Sequence, residues 1–91
     1  MLKNDYWVIL TTDRCPWCDR VKELLGNTGI SYTSFDLTTQ PLMRAFANAN
    51  GLTSAPQVYH NGHLVGGYGD TEGYLKLLLG DDEEQQIAFN F

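Results

Sequence analysis

The stretch "TTDRCPWCDRVKELL", residues 11–25, holds both cysteines of the chain, Cys15 and Cys18, two residues apart with Pro16 and Trp17 between them. Thiols at this spacing can close a disulfide, clamp a metal or exchange electrons with other disulfides. A structural disulfide fits poorly, because it needs an oxidising compartment and so small a loop restricts the unfolded chain little. Zinc is the stronger rival, since His60-x-x-His63 supplies two more ligands. The spacing is wrong for a finger, however: 41 residues separate the pairs and only two lie between the histidines. Both histidines flank the tip of an expected hairpin and are expected to be exposed, with no metal bound. Redox exchange is the chemistry that suits the pair. On helical spacing Cys18 shares a face with Val21 and Leu25 and turns inward, whereas Cys15 sits at the helix start, open to solvent. A helix N-terminus carries about half a positive charge and unpaired N–H groups, which favour a thiolate, and Arg14 adds to the effect. Cys15 is thus the expected nucleophile and Cys18 the resolving thiol.

The elements that must position these thiols are legible in order. "YWVILTT", Tyr6 to Thr12, is short, aromatic and β-branched, as a buried strand is. Pro16 suits the first turn of a helix, and Val21, Leu24, Leu25 and Thr28 recur at helical spacing until "GNTG" ends it. Ile30 to Leu37 alternates as a second strand. Pro41 opens a second helix with Leu42, Ala45, Phe46 and Ala49 on one face, stopped at Gly51. In "PQVYHNGHLVGG" two apolar runs flank Asn61-Gly62, the dipeptide suited to a type I′ hairpin turn. Asp70 or Thr71 is expected to cap a last helix lined by Tyr74, Leu75, Leu78 and Leu79. The order β-α-β-α-β-β-α predicts an α/β domain: a parallel pair from the crossover, an antiparallel pair from the hairpin, and helices on both faces of a four-stranded mixed sheet. A hairpin leaves and returns at one end of the sheet. Ala55-Pro56 and Gly66-Gly67 must therefore be neighbours, at the rim where Cys15 belongs if that rim is the active one. The His60–His63 tip would then lie on the order of 13 Å from the thiols, too far to share a metal with them.

The whole chain, 91 residues with a net charge of −5, suits one domain. Asp81 to Glu84 supply four acids in a row, and residues 1–80 carry six bases against seven acids. The scattered bases form no nucleic-acid surface, and no apolar run approaches the roughly 20 residues of a membrane span. With no signal peptide at its start, the chain is expected to stay in the cytoplasm of its own cell or of a viral host. Residues 1–80 are read as the domain and 81–91 as a solvated acidic tail, although Ile87, Phe89 and Phe91 could tuck back onto the body.

"CPWC" at a helix start, then "SAPQV", then "GGYGD" before the last helix, in this element order, resembles the glutaredoxins, the small dithiol kind of bacteria and bacteriophages; the resemblance covers residues 4 to 80. It implies a thioredoxin-like fold and a monomer with no bound cofactor. It implies glutathione as reducing co-substrate, and substrates that are glutathione mixed disulfides or protein disulfides such as that of ribonucleotide reductase. Cys15 and Cys18 take the family's nucleophile and resolving positions, and Pro56 its cis-proline, with Ala55 offering backbone N–H and C=O to the glutathione cysteine. Gly66 and Gly67 fall on the family's turn, and Gly69 and Asp70 on the residues that hold the γ-glutamyl end. The implied glutathione site comprises Thr12, Arg14, Pro16, Trp17, Arg44, Ala55, Pro56, Gly67, Gly69 and Asp70. Many members carry Lys or Arg at the Thr12 position to meet the glycyl carboxylate; Arg14 and Arg44 are the possible substitutes here. Ala55 also replaces the usual valine. Two alternatives stand beside this: a redoxin fed by a thioredoxin-reductase-type enzyme and supplying ribonucleotide reductase, and a metal- or iron–sulfur-binding module of the same fold.

Overall fold

The computed structural model describes residues 5–80; the expected acidic tail, 81–91, lies outside the described residues. The elements run β1 (Trp7–Thr11), α1 (Pro16–Asn27), β2 (Thr33–Asp36), α2 (Pro41–Ala49), β3 (Gln57–His60), β4 (His63–Gly66) and α3 (Tyr68–Leu78). They form one sheet in the order β2-β1-β3-β4, with β1 and β2 parallel and the other neighbours antiparallel. Asn61 and Gly62 both adopt the positive φ, 52° and 86°, that a type I′ turn requires. No helix among the described residues is long and apolar enough to cross a membrane.

Strand alternation divides the sheet into two faces. Trp7 and Ile9 of β1 and Val58 of β3 point to one side, where they meet Val21 and Leu25 of α1 and Leu75 of α3. None of these six is more than 4% exposed, and each such side chain contributes roughly 1.5–3 kcal/mol relative to an exposed one. Val8 and Leu10 face the other side, which α2 covers, its Phe46 ring 6.0 Å from the Tyr59 ring of β3. The second strand is shorter than its alternating pattern implied. Ile30, buried, instead closes the end of α1, its N–H donating to the Leu25 carbonyl at 2.9 Å.

Three expectations are corrected by packing. The face of α2 that reads as apolar is not its buried face: Leu42 is 84% exposed, Phe46 41%, while Ala47 is buried and Met43 half-buried. Met43 and Ala47 lie one turn apart, about 100° around the helix from the expected stripe, and a nine-residue helix carrying both sets cannot show by spacing which one meets the sheet. The last helix begins earlier than expected, at Tyr68 with Gly67 as its N-cap. Asp70 and Thr71 are therefore inside it, and the Thr71 hydroxyl donates back to the Gly67 carbonyl at 2.7 Å.

The third correction concerns His60, which is buried rather than exposed. Its register partner is Trp7, whose ring stacks on it at 4.1 Å, and Tyr74 of α3 closes over it with its hydroxyl 2.7 Å from Nδ1. On the other side Nε2 lies 3.3 Å from Asp5 Oδ1, not aligned as a hydrogen bond. His63 is exposed, as expected. The Asn61 side chain ties the same corner together, donating to Asp5 Oδ1 at 3.0 Å and accepting the Tyr6 N–H at 2.8 Å. The Asn61 bond, with His60 adding to it, holds the Asp5 carboxyl below its ordinary value near 3.8. A carboxyl whose pKa is lowered on folding adds stability above its unfolded value, and that contribution is lost as pH falls through the folded value. Asp5→Asn should therefore flatten the acid limb of Tm against pH below about pH 4. Equal acid sensitivity in parent and variant would remove Asp5 from that role.

Candidate active site

Thr12 to Cys15 join β1 to α1, and the turn is made at Arg14, whose φ is 53°. That left-handed conformation costs a residue with a side chain roughly 1–2 kcal/mol, so neighbouring contacts must hold it. Cys15 follows in extended conformation as the N-cap of α1, and Pro16 takes the first helical position, where no N–H is needed. The Cys15 sulfur accepts the Cys18 N–H at 3.1 Å. Its carbonyl accepts the N–H groups of Cys18 and Asp19 at 3.0 and 3.2 Å. Cys15 is half-buried, whereas Cys18 is 2% exposed beneath it. The two are joined as a disulfide with their Cα atoms 5.2 Å apart, the oxidised state of an exchange pair. The outward sulfur sits where backbone N–H groups and the helix dipole stabilise negative charge, and the inward one is within bonding reach of it.

An open groove of about 630 Å³ runs beside Cys15. Thr12, Arg14 and Pro16 form its near wall, Arg44 and Ala47 of α2 face them, and the loop ending at Ala55 closes it. The Ala55–Pro56 peptide is cis, and Pro56 is buried. Gln57 braces this loop, its amide donating to the carbonyl and the hydroxyl of Ser54 at 3.1 Å each. The hairpin returns to the same place: a Cβ on Gly67 would lie 3.7 Å from the Pro56 carbonyl oxygen.

Of the residues singled out in the sequence, Thr12, Arg14, Pro16, Arg44 and Ala55 share the Cys15 groove, and Pro56 and Gly67 adjoin it. Gly69 and Asp70 do not line it. They border a separate shallow groove between β4 and α3, and the Asp70 carboxylate is turned back to accept the Gly67 N–H at 3.3 Å. Trp17 is 51% exposed, its ring 5.4 Å from that of Tyr68 and capped by the Arg20 guanidinium at 4.6 Å. Sequence reasoning missed Tyr68, Ser54 and Thr38. Tyr68 sat within the "GGYGD" segment and Ser54 opens "SAPQV", so both could have been found there; Thr38 carried no spacing signal. His60 lies at the opposite end of β3 from Pro56 with its ring nitrogens on Tyr74 and Asp5, which removes it from any set with the cysteines.

Comparison with known proteins agrees with this geometry. The glutaredoxin family model matches residues 7–65. Over 64 residues the chain is 38% identical to a glutaredoxin of Pseudomonas aeruginosa, covering 69% of this chain and 76% of that protein. It is 33% identical over 67 residues to the hybrid peroxiredoxin hyPrx5 of Haemophilus influenzae, covering 74% of this chain but 28% of that longer protein. Among solved structures, a buckwheat glutaredoxin–glutathione complex superposes with a TM-score of 0.67 at 24% identity, over 84% of this chain and 71% of that one. The likeness is one of fold, the thioredoxin-like arrangement of four strands and three helices.

Proposed function

We propose, from the premise that this chain belongs to the glutaredoxin family, that it reduces glutathione mixed disulfides and protein disulfides with glutathione as the electron source. Thiol–disulfide oxidoreductase activity comes with the family. The observation that carries the glutathione part is the groove beside Cys15, which gathers two arginines and the backbone before Pro56 within reach of the reactive sulfur. In the buckwheat relative of the same fold, glutathione is the bound partner.

The Cys15 thiolate attacks the glutathione sulfur of a mixed disulfide; the Cys15–glutathione bond forms, and the released thiolate takes a proton from solvent. A second glutathione thiolate then attacks the glutathione sulfur, leaving oxidised glutathione and the Cys15 thiolate. With a protein disulfide, Cys18 displaces the bound protein from Cys15, giving the Cys15–Cys18 disulfide, which two glutathiones reduce. Ala55 pairs its backbone with the glutathione cysteine, while Thr12, Pro16, Trp17 and Pro56 border the reacting sulfurs. The γ-glutamyl end reaches beyond the groove to the start of α3 near Gly67 and Gly69, where the Asp70 carboxylate meets its amine with the oxygen that does not accept the Gly67 N–H. The domain acts as a monomer in a reducing cytoplasm on disulfide proteins of the ribonucleotide reductase kind. The test is turnover of a small glutathione mixed disulfide, with glutathione against thioredoxin reductase as electron source. Turnover with the latter alone would overturn glutathione as reductant.

With Thr12 in the place of a cation, the glycyl carboxylate falls to Arg44 rather than to Arg14, which serves the Cys15 thiolate. Arg44 is exposed, so the contact is discounted for solvent screening. Arg44→Gln should raise KM for glutathione about three- to tenfold with kcat nearly unchanged, and high salt should mimic it. Thr12→Lys should lower KM, and Arg14→Gln should affect it less than Arg44→Gln does. An unchanged KM in Arg44→Gln would rule that arginine out.

A further inference from the structure

The left-handed turn at Arg14 needs something to hold it, and the residue before it is bonded on both its N–H and its carboxylate to a hydroxyl on another loop. The Asp13 N–H donates to Thr38 Oγ1 at 3.1 Å, and the same hydroxyl lies 3.3 Å from Asp13 Oδ1, to which it donates its proton. Thr38 is itself anchored. Its N–H donates to Asp36 Oδ1 at 2.8 Å, just beyond the point where the Leu37 N–H continues the β1–β2 pairing to the Thr11 carbonyl at 2.7 Å. Its carbonyl lies 3.5 Å from Arg44 Nη2, which donates to it. Every polar group of Thr38 is thus engaged, and they join three segments: the loop that delivers Cys15, the end of β2, and the α2 arginine.

We propose that Thr38 is a positioning residue for Cys15: its hydroxyl clamps the Asp13–Arg14 turn so that the Cys15 sulfur rests on the Cys18 N–H at the start of α1. A hydroxyl suits the task because it accepts from a backbone N–H and donates to the carboxylate of the same residue. Without it, two changes act in one direction. The turn relaxes away from the positive φ of Arg14, and the thiolate loses the Cys18 donor. Asp13 loses its donor as well, so its carboxylate, two residues from the sulfur, is no longer tethered to Thr38 and can turn toward it. The other charges around Cys15 are Arg14 on its own loop, Asp19 and Arg20 in α1, and Arg44 on α2. None of them is removed by changing Thr38, so a shift in Cys15 reports the bridge. The inference needs only the exchange chemistry of Cys15 and is independent of which reductant the protein uses.

The experiment is alkylation of Cys15 against pH in the reduced Cys18→Ser protein, compared with the same protein carrying Thr38→Val or Thr38→Ser. Thr38→Val keeps the shape and loses the hydroxyl; it should move the midpoint up by about half to one pH unit, slowing alkylation near neutrality roughly three- to tenfold. Thr38→Ser should restore the parent midpoint. A folded Thr38→Val protein with the parent midpoint, or a Thr38→Ser protein that behaves like it, would overturn the proposal. Hydrogen exchange at the Asp13 amide of the parent decides the matter if the valine protein does not fold. An amide at least about tenfold slower than in an open chain supports the bridge, and an unprotected one removes it.

Discussion

Cys15→Ser should lose turnover by at least three orders of magnitude with every disulfide substrate, equivalent to roughly 4 kcal/mol of barrier, while Cys18→Ser keeps most of its activity on small glutathione mixed disulfides. The asymmetry follows from placement. Cys15 caps α1, half-buried, with its sulfur on the Cys18 N–H. A serine hydroxyl there is not ionised near neutrality, and the thiolate is the attacking species. Cys18 is 2% exposed and reaches only what is already attached to Cys15. A glutathione adduct on Cys15 can be resolved by a second glutathione from the groove, so removing Cys18 should change that reaction less than about threefold. A protein bound to Cys15 has no such easy second partner. The Cys18→Ser protein should therefore accumulate a covalent adduct with a disulfide protein, visible as a shifted band without reductant. Equal losses in both variants, or the adduct forming on Cys18 in Cys15→Ser, would reverse the roles.

Gly66→Ala should be the most destabilising single methyl at the rim, by about 2–4 kcal/mol, lowering Tm by roughly 10–25 °C for a domain of this size. Gly66 ends β4 opposite Val58 with φ of 123°, a conformation open in practice to glycine alone. An added Cβ would also stand 2.9 Å from both Cβ and Cγ of Asp70, too close for the Asp70 backbone end to escape by a rotamer change. Relief requires either moving the end of β4, and with it the approach of Gly67 to Pro56, or turning α3 so that Asp70 releases the Gly67 N–H. Both disturb the wall beside Cys15, so residual folded protein should also show a raised KM for glutathione. Gly62→Ala is the comparison. Its φ is also positive, but the nearest atom to an added Cβ is the Tyr6 hydroxyl at 3.6 Å, so it should lose only about 1 kcal/mol. A Gly66→Ala protein that melts within a few degrees of Gly62→Ala would show that β4 and α3 yield more readily than their packing implies.

Much of this was legible in the sequence because it depends on neighbours along the chain. Pro16, the spacing of Cys18, Val21 and Leu25, and "GNTG" define α1 and the two unequal sulfurs, and Asn61-Gly62 defines the hairpin. From the hairpin alone it follows that Pro56 and Gly67 must meet, since an antiparallel pair returns to the end it left. The sequence could not show which of two apolar lines on α2 faces the sheet, because Leu42 and Phe46 obey helical spacing as well as Met43 and Ala47 do. Nor could it show that His60 is buried, which depends on its pairing with Trp7 and on Tyr74 arriving from α3. The start of α3 moved for a similar reason: Asp70 and Thr71 have the chemistry of caps, but with Gly67 already capping, they bond back to it from inside the helix. Thr38 gave no sign of its place, because a hydroxyl bridging residues 13 and 38 exists only once β1 and β2 lie side by side. Periodicity, turn chemistry and the cysteine spacing, all interactions within a few residues, determined the element order and the reacting pair. The burial of His60, the facing of α2 and the gathering of Arg14, Arg44 and Ala55 around Cys15 were decided only by tertiary packing, where the partners are tens of residues apart and the better-fitting surface wins.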